Sequence, residues 1–105
     1  ELCSLFEDPV ALPVQAPMAC CNVYLTPPHS QSVPAHSDDR DVIVLQVFGE
    51  KQWSIYNAPV ELPYRDEELG KQSPVDVSTL TGKVQFSVKQ GDVIYVPRGA
   101  VHEAE

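Results

Sequence analysis

Proline punctuates this chain more than any other feature. Ten prolines fall in 105 residues, and only residues 35–58 and 75–96 run for more than twenty residues without one. Proline removes a backbone donor and clashes with the preceding helical turn, so few windows can hold a helix. The proline-free windows carry period-two patterns rather than the 3.6-residue period of a helix. "KQWSIYN" (51–57) alternates, with Lys51, Trp53 and Ile55 on one face and Gln52, Ser54 and Tyr56 on the other. "KVQFSVKQ" (83–90) alternates too, placing Val84, Phe86 and Val88 inward. "DVIVLQVF" (41–48) is almost unbroken in apolar residues, as expected of a strand covered on both faces or lining a barrel. Gly49-Glu50 between two of these runs predicts a tight turn and a hairpin over 41–57. "CCNVYLT" (20–26) and "VIYVP" read as further strands, while "EDPVALPVQAP" (7–17) reads as an extended lead-in. Residues 58–82 lack a period and read as a loop insert, with one helical turn at "RDEEL". The fold class is therefore all-β, a sandwich or barrel of short strands, in a single domain.

Composition narrows the function. Fifteen acids against seven bases give a net charge of −8, which argues against nucleic-acid binding and suits a basic protein partner. No apolar run approaches the ~20 residues of a membrane-spanning helix. The chain opens on Glu1, stops at "HEAE", and reads as an excerpt of a longer protein. Cys3, Cys20 and Cys21 are odd in number, with Cys20 and Cys21 adjacent, which favours a reducing compartment and small buried residues over disulfides or thiolate ligands.

His36 and Asp38 stand where the charged stretch "HSDDRD" meets the apolar run. At i and i+2 on extended backbone, both side chains leave on one face. An imidazole and a carboxylate can then meet one ion, and a second histidine would complete the facial triad of a non-haem iron(II) site. The other histidines are His102, 66 residues on, and His29 in a Pro-rich loop. The alternative is a solvated turn. Lys51 shares the inward stripe with Trp53, which calls for an anionic partner such as a 2-oxoglutarate carboxylate, unless Lys51 snorkels to water.

"NVYLTPP", "HSDDRDV", "GEKQW" and "PRGAVHEA", in that order over residues 20–105, resemble the JmjC-type ribosomal oxygenases of the cupin-4 group. The resemblance implies a double-stranded β-helix (a cupin or jelly-roll core), here a partial JmjC domain that lacks its closing strand. It also implies an Fe(II)- and 2-oxoglutarate-dependent dioxygenase that uses O2. The metal ligands, which are the catalytic residues, would be His36, Asp38 and His102. Lys51 would bind the far carboxylate of 2-oxoglutarate. Tyr24, with Asn22 and Thr26 on its face, would line the same pocket. Asp39 would orient a ligand or cap the turn. Histidine or arginine hydroxylation on a ribosomal protein is the implied reaction. Demethylation of a histone tail on the same fold, a silent binding barrel, and a metal cupin without 2-oxoglutarate are the rivals. The implied location is intracellular: nucleus or nucleolus in a eukaryote, cytoplasm otherwise. A homodimer would form through regions beyond this chain. Two departures stand out. His29 and Ser32 replace the family's loop glycines, His29 reading as a surface residue, and Ser37 replaces a common aromatic, which would remove a wall of the substrate cleft.

Overall fold

The computed structural model describes residues 20–105. The lead-in expected at 7–17 and Cys3 lie outside the described residues. Six strands are present: β1 (Val33–His36), β2 (Val42–Leu45), β3 (Glu50–Tyr56), β4 (Val84–Lys89), β5 (Val93–Val96) and β6 (Val101–Ala104). Among the described residues helix is confined to two 3-10 turns, Arg65–Glu67 within the expected "RDEEL" and Val77–Thr79. One sheet has the order β1-β6-β3-β4 and the other pairs β2 with β5, all antiparallel.

The chain is a long hairpin folded back on itself. β1 pairs with β6, β2 with β5 and β3 with β4, and the fold closes where β3 meets β6. This is jelly-roll connectivity, and six of the eight strands of that architecture lie among the described residues. The hairpin expected over 41–57 does not form. β2 and β3 lie in different sheets, and Lys51 pairs with Val88 of β4 instead of with the apolar run. Gly49, at φ +73°, marks a corner where the chain changes sheet. Its neighbour there is the corner around Gly91, with Gln46 N donating to Asp92 O at 3.0 Å and Gly91 N to Gln46 O at 2.7 Å. A glycine corner and a glycine hairpin look alike locally, because the partner strand is set by residues far away.

Trp53, Val88 and Ala104 form a buried cluster of the core, and Phe86 of the same sheet packs on them. Val44 of β2 and Ile94 of β5 cover them from the other sheet. β2 alternates instead of being covered twice: Val42 and Val44 are half-buried, while Ile43 is 55% exposed with Leu45, Val93 and Tyr95 beside it on the outer face. Val84, expected inward, is 58% exposed; only Val88 and, in part, Phe86 are covered. Residues 20–27 form no strand, and Cys20 and Cys21 are exposed rather than buried. Without a partner strand among the described residues, that segment leaves every side chain but Thr26 exposed.

Candidate metal centre

β1 ends on His36, and the corner that follows holds Asp38. β6 pairs with β1 in register His36↔His102, which brings the distant histidine beside the near one. Their rings stand 4.4 Å apart. His36, Asp38 and His102 offer ligand atoms that all lie within 4.8 Å of one another. Asp38 Oδ2 is 3.7 Å from His36 Nε2 and 3.6 Å from His102 Nε2. Among the described residues, this is the group able to hold a metal ion, and exposed His29 at φ +58° is not part of it.

The histidine tautomers suit ligation. His36 Nδ1 lies 2.8 Å from Pro34 O, and His102 Nδ1 lies 3.1 Å from Ala100 O. A carbonyl oxygen can only accept, so each Nδ1 is the donor and each neutral ring keeps its lone pair on Nε2. Backbone hydrogen bonds of this kind fix ring orientation at metal sites. Burial pushes the His102 pKa down and so favours its neutral form, with Ala100 O and Asp38 opposing the shift. At Asp38, burial alone would raise the pKa; the Lys71 hydrogen bond and charge, with His36 and His102, outweigh it and the net shift is downward. The result is two imidazole lone pairs and one carboxylate oxygen converging on one point, a donor set that suits Fe(II) among other divalent metals.

Lys51 sits on the same inward face of β3 as Trp53, whose ring stacks on His102 at 6.0 Å. By strand register, Lys51 is four residues along β3 from Ile55, the partner of His102, or about 13 Å. It is half-buried, burial lowers its pKa, and no acid pairs with it among the described residues. Trp53 Nε1 is buried without a hydrogen-bond partner. A half-buried ammonium and an unpartnered indole N–H thus occur on the ligand-bearing face. Tyr24 is 65% exposed, Asn22 is exposed and Thr26 half-buried. The shared face expected for these three rested on a strand that does not form.

Three further expectations meet a different outcome. Ser37 is 2% exposed, and its Oγ accepts from Leu69 N at 2.9 Å, so its side chain is spent on holding the loop between β3 and β4. Asp39 neither orients a ligand nor caps the turn through its side chain, which pairs with Arg40 at 2.6 Å. The loop between β3 and β4 is more than surface: Lys71 Nζ donates to Asp38 Oδ1 at 2.7 Å. Nothing local in "LGKQS" signals that contact, because its partner lies 33 residues earlier.

Comparison with known proteins bears on the family of the chain. The model of the JmjC domain family matches residues 7–105. The chain is 42% identical to mouse ribosomal oxygenase 2 over 80% of its own length and 17% of that protein. It is 36% identical to the bifunctional lysine-specific demethylase and histidyl-hydroxylase NO66 of Drosophila simulans, over 99% of its length and 12% of that protein. With the NO66 of Drosophila persimilis the identity is 43%, over 79% of the chain and 12% of the relative. The chain therefore spans less than a fifth of the length of these curated relatives.

Proposed function

Because the chain belongs to the JmjC domain family, we propose that it forms part of an Fe(II)- and 2-oxoglutarate-dependent dioxygenase that hydroxylates a histidine or arginine side chain of a ribosomal protein. The convergence of His36, Asp38 and His102 carries this reading. When bound there, iron(II) with 2-oxoglutarate and O2 supplies the oxidation of an unactivated C–H bond, with release of succinate and CO2. The chain's own part is to hold and to exclude. The two Nε2 atoms and Asp38 Oδ2 would hold the ion, while Pro34 O and Ala100 O keep the rings in place. Lys51 would bind the far carboxylate of 2-oxoglutarate, which supplies the counter-charge that a half-buried ammonium lacks. Trp53 packs on His102 and keeps water from that side, and its free N–H suits an oxygen acceptor. Tyr24, Asn22 and Thr26 join this pocket by resemblance alone.

The acidic surface suits a basic substrate protein. The proposed location is inside the cell, in the nucleus or nucleolus of a eukaryote or in the cytoplasm otherwise. Dimerisation would use regions beyond this chain. Among the described residues no helix is long and apolar enough to cross a membrane. Lysine demethylation of a histone tail is the second reading, because the name of one group of relatives carries both chemistries.

Purified full-length protein with Fe(II) is expected to convert 2-oxoglutarate to succinate, and His36→Ala to abolish the conversion. A wild-type protein that binds neither metal nor 2-oxoglutarate sinks the proposal. Mass spectrometry separates the two readings: gain of one oxygen on a ribosomal protein against loss of a methyl group from a histone peptide.

A further inference from the structure

The loop between β3 and β4 comes back to the ligand-bearing corner at Glu68–Lys71, and each of these four residues grips it. Glu68 Oε1 accepts from Asp39 N at 3.1 Å. Leu69 binds Ser37 twice, its carbonyl accepting from Ser37 N at 3.0 Å and its amide donating to Ser37 Oγ at 2.9 Å. Gly70, at φ +78°, lies so close to the end of β1 that a Cβ there would stand 2.3 Å from Ala35 O and 2.8 Å from His36 Cα. Lys71 Nζ donates to Asp38 Oδ1 at 2.7 Å. The strap thus fixes the backbone on both sides of Asp38 and one oxygen of its carboxylate.

The division of labour between the two oxygens is the informative part. A carboxylate that is free to turn can give an ion either oxygen or both. Here Oδ1 is taken by Lys71, while Oδ2 faces both imidazole nitrogens at 3.6 and 3.7 Å. An ion pair with a lysine side chain 40% exposed contributes little to stability, so its effect is geometric before it is energetic. We propose that Lys71 is a positioning residue of the metal centre: it holds Asp38 by Oδ1 so that Oδ2 alone meets the ion, and the Glu68–Gly70 strap carries it to that place. This rests on the metal-centre reading of His36, Asp38 and His102.

Two opposed effects make the idea testable. An ammonium beside a ligand repels an incoming dication, so if Lys71 acted only as a charge, its removal would tighten metal binding. If it orients Asp38, its removal weakens binding, by the 10–100-fold typical of groups that position a ligand. The experiment is a Co(II) titration of the full-length protein, followed by visible d–d absorption, which reports coordination number directly. Wild type, His102→Ala, Lys71→Ala and Lys71→Arg are compared. Lys71→Ala is expected to keep its Tm within about 3 °C, as surface changes do. It is expected to raise the Co(II) Kd about 10–100-fold and to alter the band shape as Asp38 turns. Lys71→Arg, which keeps the charge and the donor, is expected to restore both. An unchanged or tighter Kd in Lys71→Ala, an unchanged spectrum, or failure of Lys71→Arg to restore it overturns the inference while wild-type binding stands. If wild type binds no Co(II), or His102→Ala binds as well as wild type, the metal-centre reading itself falls, and this inference with it.

Discussion

Asp41 receives two donors from the β5 side of the fold: Tyr95 Oη at 2.8 Å and the Arg98 amide at 2.9 Å, both on Oδ1. The Arg98 amide first, then the Tyr95 hydroxyl, hold its pKa below the ordinary carboxylate value. A folded-state pKa below the unfolded one means that the fold prefers the charged form. The contribution is therefore full above about pH 4 and is lost as pH falls through the folded pKa. Asp41→Asn is expected to destabilise the protein by about 1 kcal/mol at neutral pH, a figure discounted for its exposure. The gap from wild type should narrow as pH falls through the lowered folded-state pKa. Urea unfolding at a series of pH values checks this, and a gap that stays constant with pH refutes it. At this scale the sequence is readable where chemistry is local. His36 and Asp38 share a face because extended backbone alternates, and Lys51 stands out because a cation on a stripe with a tryptophan needs an explanation. Asp41, Ser37 and Lys71 were opaque because their partners lie 57, 32 and 33 residues away and nothing in their own neighbourhood names them.

Among elements, the strap and the corners behave differently under the same substitution. Gly70 and Gly91 both have positive φ, +78° and +92°, but a Cβ at Gly91 meets open space while one at Gly70 meets the backbone of β1. Gly91→Ala is expected to cost only the backbone penalty, about 1–2 kcal/mol. Gly70→Ala should cost that penalty and also push the strap off His36, for a total above about 3 kcal/mol. Denaturant titration of both variants tests the ranking, and equal losses would show that the strap is not held against β1. Strand existence was legible for β2 to β5 because apolar runs and period-two patterns are short-range. Which strand pairs with which was not: Gly49-Glu50 read as a hairpin turn, and it is a corner between sheets. The apolar run of β2 invited burial on both faces, and only Val42 and Val44 obtained cover.

Taken whole, the molecule is an acidic β-scaffold whose net charge of −8 projects beyond any single contact. The basic substrate protein proposed above would be drawn to such a surface, and salt would screen the attraction over about 8–10 Å. Raising NaCl from about 0.05 to 0.5 M is expected to raise KM for the protein substrate several-fold while leaving kcat nearly unchanged, since Debye screening acts on encounter more than on chemistry. Steady-state kinetics at several salt concentrations decide it, and a salt-independent KM would remove charge from recognition. The all-β class and the jelly-roll core were legible at this scale, the first from proline and period, the second through resemblance. The folded long hairpin that joins β1 to β6 was not, because no local pattern encodes a pairing between positions 33 and 104.

That pairing also sets a clock. The strand that delivers His102 is made 66 residues after His36, and its docking on β1 must close the loops of the intervening chain. Until then a cation would meet only two of the three proposed ligands, on an unpaired strand, a grip too loose and too exposed to retain it. The third ligand arrives in the same event that seals the sheet. Loading with metal, on the proposed reading, would thus wait until β6 has been made and paired with β1.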